Sequence, residues 1–388
     1  MIERAEVLVL THRLSRIRLF STGSNVTRDS VIVRLEDGDG RVGWGETYLV
    51  TGVVDACRAM TDDLPGREPD DVVAALSGRP GLHRWALGAV SMALDDLRAR
   101  RACIAVSDLY GTRQRGRVRA YASSQGYVEG ISPDAAWIEE ATAIWDAGFR
   151  AMKLRIGRFP VADEIASVKR LLAAAPAMTW MADANGAYDH DDSRRLGDAL
   201  NELGFRWLEE PLPTTDYGAY AALARDLAIP LAGGEILESA DDAGPFLRGG
   251  SFDIVQPDVS ICGGIGGVLA ISGEAAATGV STIPHACNGA IALAATLQVL
   301  AILSIPTDAP PWAEPLLEHD AGENPIRTDL LTSPLTPVEG WVTIPDGPGL
   351  GVEVNEAMVR RLAVAAPRWR TRRRGLSRQA VIVPSQQI

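Results

Sequence analysis

The chain has 388 residues, of which 46% are hydrophobic and 23% are charged. This length accommodates one barrel of roughly 250 residues together with a second, smaller domain. The composition excludes disorder over most of the chain. The net charge of −12 argues against nucleic acid as the main partner, because phosphate groups would be repelled over most of the surface.

Membrane insertion and secretion are not expected either. The longest apolar run, 291–305, is too short to span a bilayer and predicts a buried barrel helix. The first ten residues, MIERAEVLVL, carry acidic side chains where a signal peptide would be basic, which predicts a cytoplasmic protein. The four cysteines include no CxxC pair, so neither a disulfide framework nor a zinc site is indicated.

Six arginines between positions 368 and 378 form a local exception to the acidic charge. Because this basic tail is isolated in an acidic chain, we expect a solvated segment or a subunit contact. A tether to RNA or to a membrane stays open as the alternative.

Residues 1–116 are predicted to form an α+β domain. Two β-prone runs, 31–35 and 41–44, flank a turn rich in Asp and Gly, which is typical of an antiparallel hairpin. Helical periodicity follows the hairpin and ends the domain. The expected helices are 52–63, 69–76 and 85–101.

Residues 117–335 alternate short β-prone runs with helical runs, which is typical of βα units in a parallel sheet. Eight such units predict an α/β fold with a closed (β/α)8 barrel, and a doubly wound sheet is the alternative. The segment 336–388 is predicted to return to the first domain and to end in the basic tail. The expected strands are 118–123, 149–154, 178–183, 206–209, 230–233, 252–257, 280–284 and 310–313.

Polar residues stand at the predicted carboxyl end of each strand, where a buried apolar strand does not need them. In a barrel these ends converge on one mouth, and barrel active sites lie there. The residues are Ser123, Lys153, Arg155, Asp183, Asn185, Glu209, Glu210, Glu235, Asp258, His285 and Glu314.

Three successive strands end in the carboxylates Asp183, Glu209 and Glu235. Hard cations such as Mg²⁺ prefer oxygen ligands, and three crowded carboxylates without a cation would repel one another. Any one of them alone could instead cap the helix that follows its strand. Their recurrence on three strands predicts a metal site.

Asp258 and His285 end the next two strands, so the carboxylate can orient the imidazole and raise its basicity. The pair predicts a general base, and a core histidine satisfied by an acid is the alternative. Lys153 is expected across the mouth from His285, where it can contact a metal-bound anion.

These residues lie in motifs whose order resembles the mandelate racemase subgroup of the enolase superfamily. The resemblance covers residues 1–365 and implies a modified (β/α)8 barrel with an α+β capping domain. It implies Mg²⁺ bound by the three carboxylates, and removal of the proton next to a substrate carboxylate. The motifs are RVGWGE, KLR, MADANGAY, WLEEP, AGGE, QPDVSICGGI, PH and WAEP.

The resemblance also implies a role for each remaining polar residue. His285, paired with Asp258, would be the acid/base, and Lys153 would neutralise the enediolate as it forms. Glu314 would hydrogen-bond the same oxygens as a protonated acid. Contacts to the substrate carboxylate and to a substrate hydroxyl would come from Ser123 and Asn185, respectively.

The chain departs from the racemase pattern at Arg155, where that pattern has a second lysine. Arginine stays protonated and is a very poor base, so Arg155 is expected to bind substrate. Departures at this position are familiar among acid-sugar dehydratases of the subgroup. We therefore expect dehydration of a sugar acid to a 2-keto-3-deoxy acid, and a racemase or epimerase that uses Lys153 opposite His285 stays open.

Other classes of function fit less well. A muconate-type cycloisomerase would carry a lysine near the sixth strand, where this chain has Asp258, and a non-catalytic barrel would have no use for a metal and base set. Loops 20–28 and 48–53 are expected to read the distal end of the substrate. The expected substrate is a small carboxylate, an acid sugar that the sequence does not identify further. The chain is also expected to form a homo-oligomer.

Overall fold

The computed structural model describes residues 1–76, 79–123, 126–175, 177–305 and 309–365, and the predicted basic tail lies outside these residues. The strands are β1 (Ile2–Leu19), β2 (Ser24–Asp37), β3 (Val42–Tyr48), β4 (Arg117–Ser123), β5 (Ala151–Arg155), β6 (Thr179–Asp183), β7 (Leu208–Glu209), β8 (Leu231–Gly233), β9 (Ile254–Val255), β10 (Ser281–Thr282), β11 (Leu316–Asp320), β12 (Trp341–Thr343) and β13 (Ala363–Val364). The helices are α1 (Val53–Thr61), α2 (Pro69–Leu76), α3 (Arg84–Ala102), α4 (Pro133–Asp146), α5 (Val161–Ala174), α6 (His190–Glu202), α7 (Tyr217–Asp226), α8 (Ala240–Arg248), α9 (Ile265–Ala277), α10 (Ala290–Ile302), α11 (Pro325–Thr328) and α12 (Glu356–Leu362).

The first domain is built on an antiparallel sheet with the strand order β13-β1-β2-β3. The predicted hairpin is confirmed, since β2 pairs with β3 from Ser30 opposite Tyr48 to Glu36 opposite Val42. Strand β13 comes from the end of the described chain and pairs with β1. The chain therefore returns to the first sheet after it has formed the barrel.

Helix α3 packs against β3 at backbone contact. A Cβ on Gly43 would come within 2.1 Å of the Ala93 carbonyl oxygen, and one on Gly45 within 1.8 Å of the Ala89 oxygen. Only glycine allows this approach, which explains the two glycines that flank Trp44. The predicted apolar face of α3 is buried, as its members show: Leu87, Val90, Ala93, Leu94 and Leu97.

The second domain contains the predicted ring of eight parallel strands, in the order β10-β9-β8-β7-β6-β5-β4-β11. The two ends of this order are linked where Ala286, which follows β10, donates its backbone N–H to Oε2 of Glu318 in β11 at 3.2 Å. Strand β12 lies antiparallel beside the amino end of β4. The predicted fold class, a modified barrel with an α+β capping domain, is confirmed.

The position predicted for the eighth barrel strand, 310–313, is wrong. Residues Pro311–Ala313 form a turn of 3-10 helix, and the strand is Leu316–Asp320. Two consecutive prolines, Pro310 and Pro311, exclude a central strand because neither can donate to a ladder. Glu314 therefore precedes the strand and does not follow its carboxyl end.

The apolar run that was too short for a membrane forms the buried barrel helix that its composition predicts. Helix α10 buries all of its residues except the last, Ile302. Among the described residues, no helix has both the length and the apolar character needed to cross a membrane.

Capping domain and barrel are joined directly around the mouth. The buried Glu46 of β3 caps α10, because its carboxylate accepts from the backbone N–H groups of Gly289, Ile291 and Ala292 at 2.9–3.1 Å. Desolvation by burial raises the pKa of this carboxyl group, and the hydrogen bond from Ser30 opposes it. The capping domain thus holds the segment that follows β10, on which His285 lies.

Candidate active site at the barrel mouth

The predicted metal carboxylates lie on adjacent strands. Asp183 ends β6 and Glu209 ends β7, and the two are register partners in the parallel ladder. Glu235 lies two residues beyond β8, the next strand of the ring. Asp183 and Glu209 are buried, whereas 21% of the Glu235 side chain is exposed. The mouth therefore opens on the side of Glu235.

Each of the three carboxylates is paired with a cation of the protein. The pairs are Asp183 with Arg155, Glu209 with Lys153 at 2.6 Å, and Glu235 with Nε2 of His285 at 3.2 Å. Their oxygens are not all within 4.8 Å of one another; in the described part of the chain, that spacing is met by His285, Cys287 and Glu318. Mutual repulsion of like charges and attraction to separate cations account for this arrangement.

Lys153 is completely buried among carboxylates. Its Nζ lies 2.6 Å from Oε1 of Glu209, 2.9 Å from Oε1 of Glu318 and 3.6 Å from Oδ2 of Asp183. Burial alone would lower the pKa of Lys153, but the charges of Glu209 and Glu318 outweigh it and hold the pKa well above its usual value. Lys153 is thus a fixed positive charge.

Glu318 is the residue that sequence reasoning missed. It is fully buried in β11, and its Oε2 lies 3.8 Å from Nε2 of His285 while its Oε1 contacts Lys153. Burial would raise the pKa of Glu318, but Lys153 and His285 overcome it and hold the pKa well below its usual range. The sequence signal was the apolar run around LLEHD, which follows the two prolines.

Glu314 does not reach the mouth, and its predicted role is corrected. Its side chain is 45% exposed and lies 3.6 Å from Nε of Arg119, which stands near the amino end of β4. Its carbonyl oxygen accepts from Arg206, which precedes β7, at 3.3 Å. Both contacts place Glu314 at the opposite end of the barrel.

The predicted pair of Asp258 and His285 is present. Nδ1 of His285 lies 2.8 Å from Oδ2 of Asp258, and Nε2 is left facing Glu235. Burial would lower the pKa of the imidazole, but Glu235 and Glu318, together with the hydrogen bond to Asp258, raise it well above 6.5. The backbone N–H of Ser260 donates to the other oxygen of Asp258 at 2.7 Å.

Arg155, Asn185 and Ser123 lie together on the other side of the metal carboxylates. Nη1 of Arg155 donates to Asp183 and, at 3.0 Å, to Oδ1 of Asn185. Nη2 lies 3.5 Å from Oγ of Ser123 and 3.7 Å from Sγ of Cys287. The structure therefore brings these three predicted residues to one mouth, and it adds Cys287, to which the sequence assigned no role.

Glu209 accepts hydrogen bonds from two further side chains that the sequence analysis did not predict as site residues. Oε2 of Glu209 accepts from Nε2 of Gln256 at 2.9 Å and from Nε1 of Trp207 at 3.3 Å. Both side chains are fully buried. Burial raises the pKa of Glu209 to about 7 despite Lys153. Trp207 and Gln256 open the motifs WLEEP and QPDVSICGGI, but the sequence assigned no role to either side chain.

The backbone at the mouth adopts a conformation that side chains other than glycine rarely accept. Asn185 has φ 46° and Glu210 has φ 40°, both in the left-handed region. Glu210 is buried, and Gly234 donates to its carboxylate at 3.1 Å. Burial and the nearby Glu235 raise the pKa of Glu210 well above its usual range.

The carboxylates fit a divalent cation by donor type and by position. Oxygen donors on adjacent strands suit Mg²⁺, and Glu209 is held on both oxygens as metal ligands commonly are. A bound cation would compete with Arg155, Lys153 and His285 for these oxygens. The set therefore accommodates a cation once its ion pairs open.

Together, the fold and the mouth define a class of protein: a capped (β/α)8 barrel with a carboxylate set, a fixed lysine and an Asp–His pair. The family model "Enolase C-terminal domain-like" matches residues 136–358, and the model "Mandelate racemase / muconate lactonizing enzyme, N-terminal domain" matches residues 4–111. The chain belongs to the mandelate racemase subgroup of the enolase superfamily, as its motifs predicted.

Curated relatives cover most of the chain. D-galactarolactone cycloisomerase of Agrobacterium fabrum is 35% identical over 84% of this chain and 89% of that protein. Arabinonate dehydratase of Saccharolobus solfataricus is 29% identical over the same shares. L-talarate/galactarate dehydratase of Salmonella typhimurium is 29% identical over 84% of this chain and 80% of that protein.

Solved structures match over nearly the whole chain. The 3,6-anhydro-D-galactonate cycloisomerase from Zobellia galactanivorans aligns with a TM-score of 0.81 at 26% identity, over 94% of this chain and 99% of that one. A racemase from Streptomyces coelicolor with bound magnesium aligns with a TM-score of 0.79 at 28% identity, over 94% and 100%.

Proposed function

We propose that this chain is a Mg²⁺-dependent lyase that removes the proton α to a substrate carboxylate and then expels the β-oxygen substituent, with a sugar acid as substrate. The observation that carries the proposal is the convergence of the Asp258–His285 pair and the Lys153–Glu318 pair on one mouth. Relatives that are named sugar-acid dehydratases and cycloisomerases support it.

The metal would be held by Asp183, Glu209 and Glu235. When bound, Mg²⁺ supplies positive charge that stabilises the oxygens of a substrate carboxylate as the α-carbon loses its proton. Support comes from the adjacency of the three carboxylates and from the magnesium in the related Streptomyces coelicolor structure.

His285 would take the α-proton at Nε2. This nitrogen faces the mouth, while Nδ1 is engaged by Asp258, which fixes the tautomer and the direction of the ring. The imidazole must be neutral to accept a proton, so displacement of Glu235 from Nε2 is part of the formation of the base.

Lys153 would stabilise the enediolate, and Glu318 would hold Lys153 in position. Because Lys153 keeps its proton, it offers a positive charge to the oxygen on which negative charge develops. Glu318 lies between Lys153 and His285 and touches both. It takes the place that the sequence assigned to Glu314, and as a carboxylate with a lowered pKa it holds Lys153 and His285 beside these oxygens.

A second base for racemisation is not supported by the geometry. Arg155 is protonated and bound to Asp183 and Asn185. Lys153 is held in its charged form by three carboxylates, so it cannot accept a proton from the opposite face. With one base, elimination is favoured over epimerisation, and His285 can return its proton to the departing oxygen.

Ring opening of a sugar-acid lactone is the second candidate, and the 35% identity to a galactarolactone cycloisomerase favours it. If the β-oxygen is a hydroxyl, its expulsion releases water and leaves a 2-keto-3-deoxy acid. If the β-oxygen belongs to a lactone ring, the same two bond cleavages open the ring and release no water. The chain's own residues perform the same steps in both reactions.

One screen distinguishes the two candidates. Acid sugars and their lactones would be incubated with the protein and Mg²⁺ in deuterated water, with 2-keto acid detected by semicarbazide and product mass by spectrometry. A 2-keto acid that has lost the elements of water identifies a dehydratase, and a 2-keto acid isomeric with its substrate identifies a cycloisomerase; each gains one deuterium at the former β-carbon. Deuterium at the α-carbon of recovered, inverted substrate would reject both in favour of an epimerase. A homo-oligomeric assembly stays a prediction for measurement in solution.

A further inference from the structure

The capping domain supplies a third member to the Asp258–His285 pair. Tyr48 is the last residue of β3, and its hydroxyl donates to Oδ2 of Asp258 at 2.8 Å. The same oxygen lies 2.8 Å from Nδ1 of His285. The other oxygen of Asp258 accepts from the backbone N–H of Ser260 at 2.7 Å. The carboxylate is thus held by three donors from different parts of the chain.

Tyr48 is itself fixed on both sides. Its ring packs edge-on against Trp85 of α3, with ring centroids 6.0 Å apart. The neighbouring Thr47 donates to the carbonyl oxygen of Ser260 at 2.7 Å, which ties β3 to the segment carrying Asp258. Burial, reinforced by the charge of Asp258, raises the pKa of the Tyr48 hydroxyl well above 10, so it stays a donor.

The Tyr48 hydroxyl does not point where the sequence analysis predicted for its loop. Loop 48–53 was expected to read the distal part of the substrate, but the Tyr48 hydroxyl is directed at Asp258. Without it, Oδ2 would accept from His285 alone, and the carboxylate would rest on Ser260 at only one oxygen. Rotation of the carboxylate would then carry the imidazole away from the α-proton.

We propose that Tyr48 is a positioning residue for the Asp258–His285 pair. The base of the proposed reaction is then assembled from two domains, and His285 is correctly oriented only while the capping domain is in contact with the barrel. This inference rests on the proposed function insofar as His285 is the base. The hydrogen bond itself can be tested without any substrate.

The test is Tyr48→Phe, which keeps the ring against Trp85 and removes only the hydroxyl. Tyr110→Phe is the matched control, because the Tyr110 hydroxyl also donates to a buried carboxylate, Oδ2 of Asp95 at 2.6 Å, which is not a member of the Asp258–His285 pair. We expect Tyr48→Phe to lower kcat and α-proton exchange together by roughly fivefold to a hundredfold with KM nearly unchanged, as small misplacements of reacting groups do. The control should leave both constants unchanged.

Proton NMR of the protein without substrate gives the independent measurement. The Nδ1–H resonance of His285, assigned by its loss in His285→Asn, should move downfield in Tyr48→Phe because His285 becomes the sole donor to Oδ2. It should not move in Tyr110→Phe. This measurement needs no substrate, so it remains informative even if no sugar acid is turned over. Failure of the inference can therefore be distinguished from failure of the proposed function.

Two results would overturn the inference. A higher KM with unchanged kcat would make Tyr48 a substrate contact. An unmoved Nδ1–H resonance with unchanged rate constants, whatever the change in thermal unfolding temperature, would reduce Tyr48 to a packing residue.

Discussion

The Nζ atom of Lys153 lies 2.9 Å from Oε1 of Glu318, and both side chains are fully buried. This ion pair joins the second and eighth strands of the barrel, β5 and β11, which both flank the first strand, β4. It places a fixed positive charge and a carboxylate beside the position proposed for the substrate carboxylate, with His285 on the far side of Glu318. The first prediction follows from this contact.

Glu318→Gln should lower kcat by about a hundredfold, because Lys153 loses the ion pair that fixes it beside the developing charge, and misplacement of such a group costs about that much. The variant keeps the shape of the side chain but loses the ion pair with Lys153. Glu314→Gln is the matched control and should leave kcat unchanged, since Glu314 lies at the other end of the barrel. The reverse pattern in steady-state kinetics would restore the role that the sequence gave to Glu314.

Metal dependence should be absolute. Asp183→Asn, Glu209→Gln and Glu235→Gln each remove one charged oxygen ligand and should abolish turnover by orders of magnitude without unfolding the barrel. Kinetics with and without EDTA, combined with circular dichroism of each variant, provides the check. Near-normal turnover in EDTA would contradict the proposed chemistry.

Gln256→Met should weaken metal binding by about tenfold to a hundredfold, the usual cost of losing a side chain that orients a metal ligand. Nε2 of Gln256 donates to Oε2 of Glu209 at 2.9 Å, and methionine cannot replace this bond. Titration with Mn²⁺ followed by electron paramagnetic resonance measures the affinity directly. Gln298→Met is the control, because Gln298 is equally buried but donates to the carbonyl oxygens of Pro345 and Leu350. Equal loss of affinity in both variants would point to general destabilisation.

Much of the fold was readable from periodicity and turn residues. The hairpin around the Asp- and Gly-rich turn, the apolar face of α3 and seven of the eight barrel strands lie where the pattern placed them. The eighth strand was misplaced because PPW was taken as β-prone although proline cannot donate to a ladder. One wrong strand moved one site residue from Glu318 to Glu314.

The site was predictable only as far as strand ends predict proximity. That rule brings Asp183, Glu209 and Glu235 to one mouth, but it says nothing about residues that reach the mouth from elsewhere. Tyr48 arrives from the capping domain through a contact between residues 210 positions apart. Gln256 lies in the motif QPDVSICGGI, but the role of a buried glutamine is recognisable only when its partner, here Glu209, is known.

Arg155→Lys tests the claim that Arg155 binds the substrate and does not act as a base. Arg155 holds Asp183 and Asn185 through one nitrogen and lies near Ser123 with the other, a fork that lysine cannot reproduce. We expect a higher KM in the variant and no exchange at the second face in the unmodified protein. Deuterium incorporation with inversion of configuration by the unmodified protein would instead favour the epimerase.

His285→Asn should retain Mg²⁺ and ligand binding but lose α-proton exchange and turnover together. Asp258→Asn should be a milder version, because the imidazole remains but its orientation and part of its basicity are lost.

Burial favours the neutral imidazole, but Glu235 and Glu318 raise the pKa of His285 well above 6.5. The base works only when it is neutral, so kcat/KM of the unmodified protein should increase with pH through one ionisation and then level off. That ionisation should vanish in His285→Asn. If His285→Asn still turns over the best substrate at more than about a hundredth of the parental rate, the loss is smaller than removal of a general base usually brings, and another group takes the proton.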